Sequence, residues 1–444
     1  MTIREKLAGY TRYHAIAFFT TFLTYGFFHA SRKTLSNSKD SLSIYWTSET
    51  YNETWPKPHN ADKWTRSNPM FTTYDEAGVY LGVLDTLFMS FYAAGLYVFG
   101  YLGERFNLRL ILAIGTLCNA ITLFIFGCIL PWIECRHFTI WALVWSLNGL
   151  SQSCGWPTVI GILGNWFGME GRGFILGVWS SCQSIGNIIG ALMVNVFIDT
   201  GFEYSFLFVS ATLACLSILI FFTIVNDPAE VGLDVGTDPK TEQDEDNDKK
   251  PVVSSGLFMA ALKIPGVVEY ALSYFALKLV NYSFFFWLPY YIHNNFGWTD
   301  KVSNKVSAWF DVGGIIGGIV GGVISDMWGH RSPIVFVMVL LAVPSLAGFY
   351  KSPNDQGAAS GLMWLSGFFV GGASNIIGAA CSADLGKATV EYGLPSAVSI
   401  VAGIVDGTGS VGAALGQVVI PILETRIGWS DVFYMFMIMA GVSG

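Results

Sequence analysis

Apolar stretches, each long enough to cross a bilayer as one helix, recur along the whole chain. Such a crossing takes about 20 mostly apolar residues. The stretches lie at 13–35, 77–101, 109–131, 138–166, 173–198, 204–225, 266–295, 305–327, 333–350, 358–383, 393–423 and 430–444. Six precede a long polar break and six follow it. The pattern therefore predicts an all-α membrane protein with twelve transmembrane helices in two six-helix bundles. The last stretch is short for a full span, so we expect the natural chain to continue beyond Gly444.

Two polar segments interrupt this pattern. Within the segment 226–263, the stretch from Asp234 to Asp248 is rich in acidic residues and cannot bury enough apolar surface to fold. We interpret the segment as a cytosolic linker between an N-terminal bundle at 1–225 and a C-terminal bundle at 264–444. The other segment, 36–74, contains the glycosylation sequon at Asn52. If both chain termini are cytosolic, as the placement of basic residues indicates, this loop faces the lumen.

Composition supports the membrane assignment and excludes several other classes. Only 13% of the residues are charged, against about a quarter in a soluble domain of this size. The net charge of −8 argues against nucleic-acid binding, and the seven cysteines lack the spacing of a metal site. We expect a transporter, not an enzyme, with no catalytic residues, no metal and no cofactor.

One short motif occurs once in each half of the chain. Gly100 is followed by Glu104 and then by Arg109, and the same spacing recurs in the segment from Gly322 to Arg331. We interpret both copies as tight cytosolic turns, in which the acid caps a helix or pairs with a base. The motif resembles the signature loop of the major facilitator superfamily, which implies two pseudo-symmetric six-helix bundles around a central site. The residues expected to act in gating or coupling here are Glu104, Arg105, Arg109, Asp326 and Arg331.

Several ionisable residues lie inside the apolar stretches. Each costs roughly 2.5–3.5 kcal/mol to insert, so such residues are functional candidates. They are Arg32, Lys33, Asp85, Lys278, Asp311 and Asp406. The first and seventh helices each carry a cation, and two cations facing each other suit a divalent oxyanion such as phosphate.

Other interpretations of these charges stay open. Arg32 and Lys33 could extend to the lumenal surface, and Lys278 could be structural. Asp85 and Asp311 could carry protons or pair with a base at a gate. Asp406 opens a run of small residues, so helix packing and function are both open for it.

Further motifs resemble one branch of the superfamily. The segment from Tyr25 to Thr34 resembles the Arg-Lys signature of organophosphate:phosphate antiporters, and Gly155-Trp156-Pro157 resembles their G-W-P motif. Within that group, the chain is most similar to the eukaryotic sugar-phosphate exchangers of the glucose-6-phosphate-transporter type. The resemblance implies exchange of a sugar phosphate for inorganic phosphate, commonly across the endoplasmic reticulum membrane, with Arg32 binding phosphate.

The resemblance also shows two departures from the bacterial pattern. Asn281 stands where the bacterial seventh helix has arginine, and Lys278 lies about one helical turn earlier. Gln183 stands where the bacterial fifth helix has histidine; because glutamine does not titrate, this favours simple exchange over proton coupling.

The residues expected to bind substrate are Arg32, Lys278, Gln183, Asn281, Tyr25, His29 and Trp156, and Asp85, Asp311 and Asp406 join those expected in gating or coupling. Two other functions stay open. One is a proton- or cation-coupled symporter of a sugar or organic anion that uses Asp85 or Asp311. The other is a membrane receptor or scaffold without transport.

Overall fold

A computed structural model describes residues 10–47, 69–167, 172–197, 200–233, 257–392, 394 and 397–444. Asn52 and most of the acidic segment lie outside these residues. The N-terminal half contains α1 (Arg12–Trp46), α2 (Tyr74–Gly103), α3 (Leu108–Trp132), α4 (Phe138–Gln152 and Gly155–Trp166), α5 (Arg172–Phe197) and α6 (Phe202–Thr223). The C-terminal half contains α7 (Val267–Phe296), α8 (Asp300–Trp328), α9 (Ser332–Tyr350), α10 (Gln356–Tyr392), α11 (Val398–Arg426) and α12 (Trp429–Ser443). The predicted arrangement of twelve helices in two halves is confirmed.

Nine helices within the described residues are long and apolar enough to cross a membrane by length and composition. The other three long helices do not meet this length and composition criterion, each for an evident reason. α1 carries Arg32, Lys33 and Lys39 along its length, α4 is interrupted by a turn at 153–154, and α12 has only 15 residues.

The first helix extends further than its apolar stretch indicates. α1 runs to Trp46, so residues 36–46, which the polar pattern assigns to the loop 36–74, are helical. Ser36, Lys39 and Ser43 in this part of α1 are buried. Hydropathy suggested a loop because these side chains are polar, whereas in the fold they face the protein interior.

Close contacts between helices depend on glycine in both halves. Gly313 and Gly317, one turn apart on α8, face the backbone of α10, and a Cβ at either position would lie 2.0 Å from a carbonyl oxygen. Between the halves, Gly100 of α2 lies against Gly403 of α11, where an added Cβ would come within 3.2 Å of the opposite Cα. Small residues allow backbones to approach in this way in membranes, where packing drives helix association.

One backbone contact ties the halves together at the face where α1 begins, which we call the terminal face. Glu104 follows α2, and its Oε1 accepts the backbone N–H of Ser399 in the first turn of α11 at 2.9 Å. Burial raises the pKa of Glu104 above its ordinary value, against the opposing effect of the backbone N–H groups. Glu104 therefore caps a helix as expected, but the helix is α11 of the other half. The next helix along the chain, α3, is capped by Asn107.

Candidate functional site

Arg32 lies fully buried near the middle of α1 and points toward the other half. Its Nε donates to Gln152 Oε1 at 2.6 Å, and its Nη1 donates to the hydroxyl of Tyr282 on α7 at 3.1 Å. The guanidinium also lies 4.4 Å from the ring centroid of Tyr92. The alternative in which Arg32 extends to the membrane surface is therefore wrong.

Within the described residues, the hydrogen-bond partners of Arg32 are neutral groups. No ion pair joins Arg32 to a carboxylate within the described residues, and its Nη2 has no hydrogen-bond partner among them. Burying a charge without a counter-charge is costly unless a ligand completes the site. Arg32 thus has the properties of an anion-binding group.

Lys278 lies at a comparable place on α7 but has a carboxylate partner. Its Nζ donates to Asp406 Oδ1 at 2.6 Å and to the hydroxyl of Ser410 at 2.8 Å, both on α11. Lys278 and Asp406 are buried, and Tyr92 of α2 donates to the second carboxylate oxygen of Asp406 at 3.4 Å. Helix packing alone therefore does not account for Asp406, since it neutralises Lys278.

Two tyrosines connect these cations across the interface between the halves. The ring of Tyr92 lies 4.4 Å from the guanidinium of Arg32 and 5.6 Å from Nζ of Lys278. The ring of Tyr282 lies 4.9 Å from Nζ of Lys278, while its hydroxyl bonds Arg32. We call Arg32, Lys278, Asp406, Tyr92 and Tyr282 the cation cluster. It brings the two predicted cations together around shared aromatic groups.

Tyr25 and Trp156 form the wall behind this cluster. The hydroxyl of Tyr25 lies 3.3 Å from that of Tyr92, and the rings of Tyr25 and Trp156 are 5.1 Å apart. Both residues are fully buried. They support the cluster by packing, with the Tyr25 hydroxyl facing its polar side.

A small cavity of about 30 Å³ lies beside the cluster, between the two halves. A single ordered water needs roughly 10–15 Å³ of such space, so the cavity has room for only about two waters. We call it the polar cavity, and its polar lining residues are His29, Lys33, Gln183, Ser184, Asn187, Asn281, Tyr282, Ser307, Asp311 and Asn375. Three predicted binding residues, His29, Gln183 and Asn281, therefore share one cavity with Asp311.

A chain of hydrogen bonds crosses the polar cavity from α1 to α8. His29 Nδ1 bonds Asn187 Oδ1 on α5 at 3.1 Å, and Asn187 Nδ2 donates to Asp311 Oδ1 at 2.6 Å. Asp311 thus interacts with an amide of the opposite half. Of the two interpretations of Asp311, this contact favours a role in pairing the halves.

A proline in α7 creates a binding position for Lys33. Pro289 has no N–H, so the carbonyl of Phe285 one turn earlier loses its helical donor. That carbonyl instead accepts from Lys33 Nζ at 2.8 Å and from the hydroxyl of Ser36 at 3.2 Å, both on α1. The break at Pro289 therefore lets α7 hold α1 beside the cavity.

Asp85 pairs with a lysine that we did not single out from the sequence. Lys39 Nζ forms an ion pair with Asp85, and it lies 4.3 Å from the ring of Trp287 on α7. Asp85 is fully buried. Of its two interpretations, the geometry favours charge pairing near the junction of the halves.

The other charged residues of the two turns also make contacts at the terminal face. Arg109 donates its backbone N–H to Asn226 at 2.8 Å, and Arg105 stacks on Tyr101. Arg331 bonds Asp384 at 2.5 Å and Asp326 at 3.3 Å. These contacts stabilise the terminal face of each half, while Glu104 reaches across.

Several residues of the site were missed from the sequence. They are Lys39, Tyr92, Gln152, Asn187 and Asn375. Helical spacing could have revealed Lys39, because Arg32, Ser36, Lys39 and Ser43 recur at intervals of three and four, on one face of α1. Neutral amides and a tyrosine give no comparable signal, since they are ordinary inside membrane helices.

Comparison with known proteins gives consistent findings. Residues 66–394 match the family model described as Major Facilitator Superfamily. The chain is 43% identical to a "Sugar phosphate exchanger 3" of Xenopus laevis, over 98% of this chain and 92% of that protein. It is 35% identical to a glucose-6-phosphate exchanger of Bos taurus, over 98% and 93% of the two chains. A solved structure of a proton:xylose symporter superposes with a TM-score of 0.71 over 97% of this chain and 94% of the other, at 13% identity, which shows the fold alone.

Proposed function

The chain belongs to the major facilitator superfamily and, within it, to the sugar phosphate exchangers, and on that premise we propose that it exchanges a sugar phosphate such as glucose 6-phosphate for inorganic phosphate. It is a multi-pass integral membrane protein and a transporter rather than an enzyme. The exchange proceeds by alternating access, in which the two halves move around a central site.

The observation that carries this proposal is the buried, uncompensated charge of Arg32 opposite the Lys278–Asp406 pair. A planar guanidinium can donate to two phosphate oxygens at once. The hydroxyls of Tyr92 and Tyr282 lie beside it as further donors. Lys278 can turn from Asp406 toward the same anion, so that both halves hold one phosphate.

Electrostatics explains why such a carrier exchanges its substrates. With no anion, closing the site buries the charge of Arg32 without a counter-charge, which is unfavourable. A bound phosphate supplies that counter-charge and draws the two halves together. Either substrate can therefore support the conformational change, whereas the empty carrier changes conformation slowly.

The conformation described is contracted around the site. A cavity of about 30 Å³ is too small for a sugar phosphate. The halves are tied by Glu104 to Ser399 at the terminal face, and by Asn304 of α8 to Asn195 of α5 toward the opposite face. Substrate entry requires one of these sets of contacts to open.

A proton-coupled symporter is the second candidate, because Asp311 places a carboxylate on the cavity wall. Purified protein in phosphate-loaded vesicles distinguishes the candidates. We expect uptake of labelled glucose 6-phosphate to require internal phosphate and to be unaffected by a proton uncoupler. Uptake that collapses with the uncoupler favours the symporter. Equal uptake into phosphate-free vesicles excludes obligate exchange, and absence of any uptake favours a receptor or scaffold.

The same premise supports an orientation. We place the terminal face and the segment 226–263 in the cytosol, and the loop 36–74 with its sequon at Asn52 in the lumen of the endoplasmic reticulum. The division into 1–225, 226–263 and 264–444 follows from this arrangement. Enzymatic removal of N-linked glycans from the unaltered protein and from an Asn52→Gln control tests this orientation. Only the unaltered protein should change its electrophoretic mobility.

A further inference from the structure

The polar cavity differs in chemistry from the adjoining cation cluster. Its wall carries four side-chain amides and one carboxylate, contributed by α5, α7, α8 and α10: Gln183, Asn187, Asn281, Asn375 and Asp311. Apart from Lys33, the groups facing it are neutral or acidic. Resting on the proposed function, we infer that this cavity is the subsite for the sugar hydroxyls, and that it sets the preference for a sugar phosphate over inorganic phosphate.

The carboxylate argues against phosphate occupying this cavity. Asp311 would repel an anion, whereas a carboxylate accepts hydrogen bonds from hydroxyls. Amides both donate and accept, which matches the alternating needs of neighbouring hydroxyl groups. Phosphate is better served by Arg32, which lies among tyrosine hydroxyls.

Sugar hydroxyls can replace the hydrogen bonds that the cavity amides make in this structure. Asn187 bonds Asp311, Asn281 donates to Ser374 at 3.0 Å, and Asn375 donates to the carbonyl of Gly314 at 3.3 Å. In addition, the buried Nε2 of His29 has no hydrogen-bond partner within the described residues. A buried polar atom without a partner is rare in a finished core, and beside a cavity it suits a ligand.

Local backbone structure independently marks the α10 wall. Asn375 ends one α-helical turn, Gly372–Asn375, that lies between the π-helical segments Gly367–Gly371 and Ile376–Cys381. Such segments are rare and occur frequently at functional sites. The added residues rotate α10 locally, and Ser374 and Asn375 fall on the side that faces α7 and α8.

Tyr282 connects the two subsites. Its hydroxyl bonds Arg32 in the cation cluster, while the residue also lines the polar cavity next to Asn281. A phosphate held by Arg32 would therefore direct the rest of its ester past Tyr282 into the cavity. Inorganic phosphate has no such extension and would not contact the amides.

The test compares two substrates in one preparation. Asn375→Ala and Asn281→Ala are reconstituted in phosphate-loaded vesicles, and uptake of glucose 6-phosphate and of inorganic phosphate is measured over a range of concentrations. We expect the KM for glucose 6-phosphate to rise roughly three- to tenfold, because each variant removes one or two neutral hydrogen bonds to the sugar. The KM for phosphate should change less than about twofold. If Asn375→Ala does not reach the membrane, Asn281→Ala alone tests the inference.

Asn304→Ala is the matched control. Its amide also joins α8 to α5, through Asn195 at 3.2 Å, but it does not line the cavity. It should leave the ratio of the two KM values unchanged. Equal shifts for both substrates in the cavity variants, or unchanged KM for glucose 6-phosphate, would overturn the inference while leaving the exchange itself intact. A wild-type protein that takes up phosphate but no sugar phosphate overturns both this inference and the proposed function.

Discussion

The first and seventh helices each contribute one cation to the cation cluster, but the surroundings of the two charges differ. Arg32 on α1 is held by an amide and tyrosines, Gln152 and Tyr282, and no carboxylate pairs with it among the described residues. Lys278 on α7 is held by Asp406 and Ser410. The two cations therefore lie at corresponding positions in the pseudo-symmetric halves, but their charges are balanced differently.

From this difference we propose a division of roles between the halves, which rests on the proposed function. The N-terminal half supplies a permanent positive charge that favours any phosphate, whatever is attached to it. The C-terminal half supplies a neutral pair that changes partner only when an anion arrives.

The largest effect is expected at Arg32. Arg32→Ala removes the uncompensated charge and should abolish exchange of both substrates. Arg32→Lys keeps the charge but loses the planar fork, and it should lower phosphate affinity by a factor of roughly 10–100. Both are measured as phosphate uptake into phosphate-loaded vesicles, normalised to the amount of protein incorporated. Arg32→Lys with unaltered affinity would show that only the charge matters.

The Lys278–Asp406 pair is best tested by comparing single and double variants. Lys278→Ala or Asp406→Ala leaves one buried charge without its partner, which destabilises a protein by about 3–5 kcal/mol. The double variant should regain most of the thermal stability, measured in detergent. If Lys278 binds the anion, the double variant stays inactive in exchange despite being stable.

Recovery of exchange together with stability would contradict this division of roles. The pair would then be structural, and Arg32 with its tyrosines would account for binding alone. Ser410→Ala provides a control, because it removes one hydrogen bond that Lys278 donates at 2.8 Å and leaves the pair in place. It should lower stability by about 1.5–3 kcal/mol, less than the loss of either charged partner.

Much of the fold was predictable from apolar stretches, since a helix in lipid must satisfy its own backbone and be apolar on the outside. The twelve helices and the break between the halves followed from that rule. The end of α1 did not, because Ser36, Lys39 and Ser43 face inward and made a buried helix resemble a loop. Hydropathy measures composition, and it does not tell lumenal water from a polar protein interior.

The site was predictable only as far as charge identifies it. Arg32, Lys278 and Asp406 stood out because charges inside a membrane are rare. Which cation has a carboxylate partner could not be predicted, because Asp406 lies far along the chain on α11. The roles of Gln152 and Asn375 depend on where α4 and α10 place neutral amides, which requires the packed structure.

Gln152→Glu would give Arg32 of the N-terminal half a carboxylate partner, as Lys278 of the C-terminal half has in Asp406. Gln152 Oε1 lies 2.6 Å from Nε of Arg32, so a glutamate of the same shape places a carboxylate on the guanidinium. The charge would then be compensated, and we expect the KM for phosphate and for glucose 6-phosphate to rise together by roughly tenfold. Gln152→Met, which fills the space without a charge, is the control for the lost contacts to Ser31 and Asn148 and should have the smaller effect. Equal effects of glutamate and methionine would mean that Gln152 acts by orienting Arg32, and that the unpaired charge is not what attracts the anion.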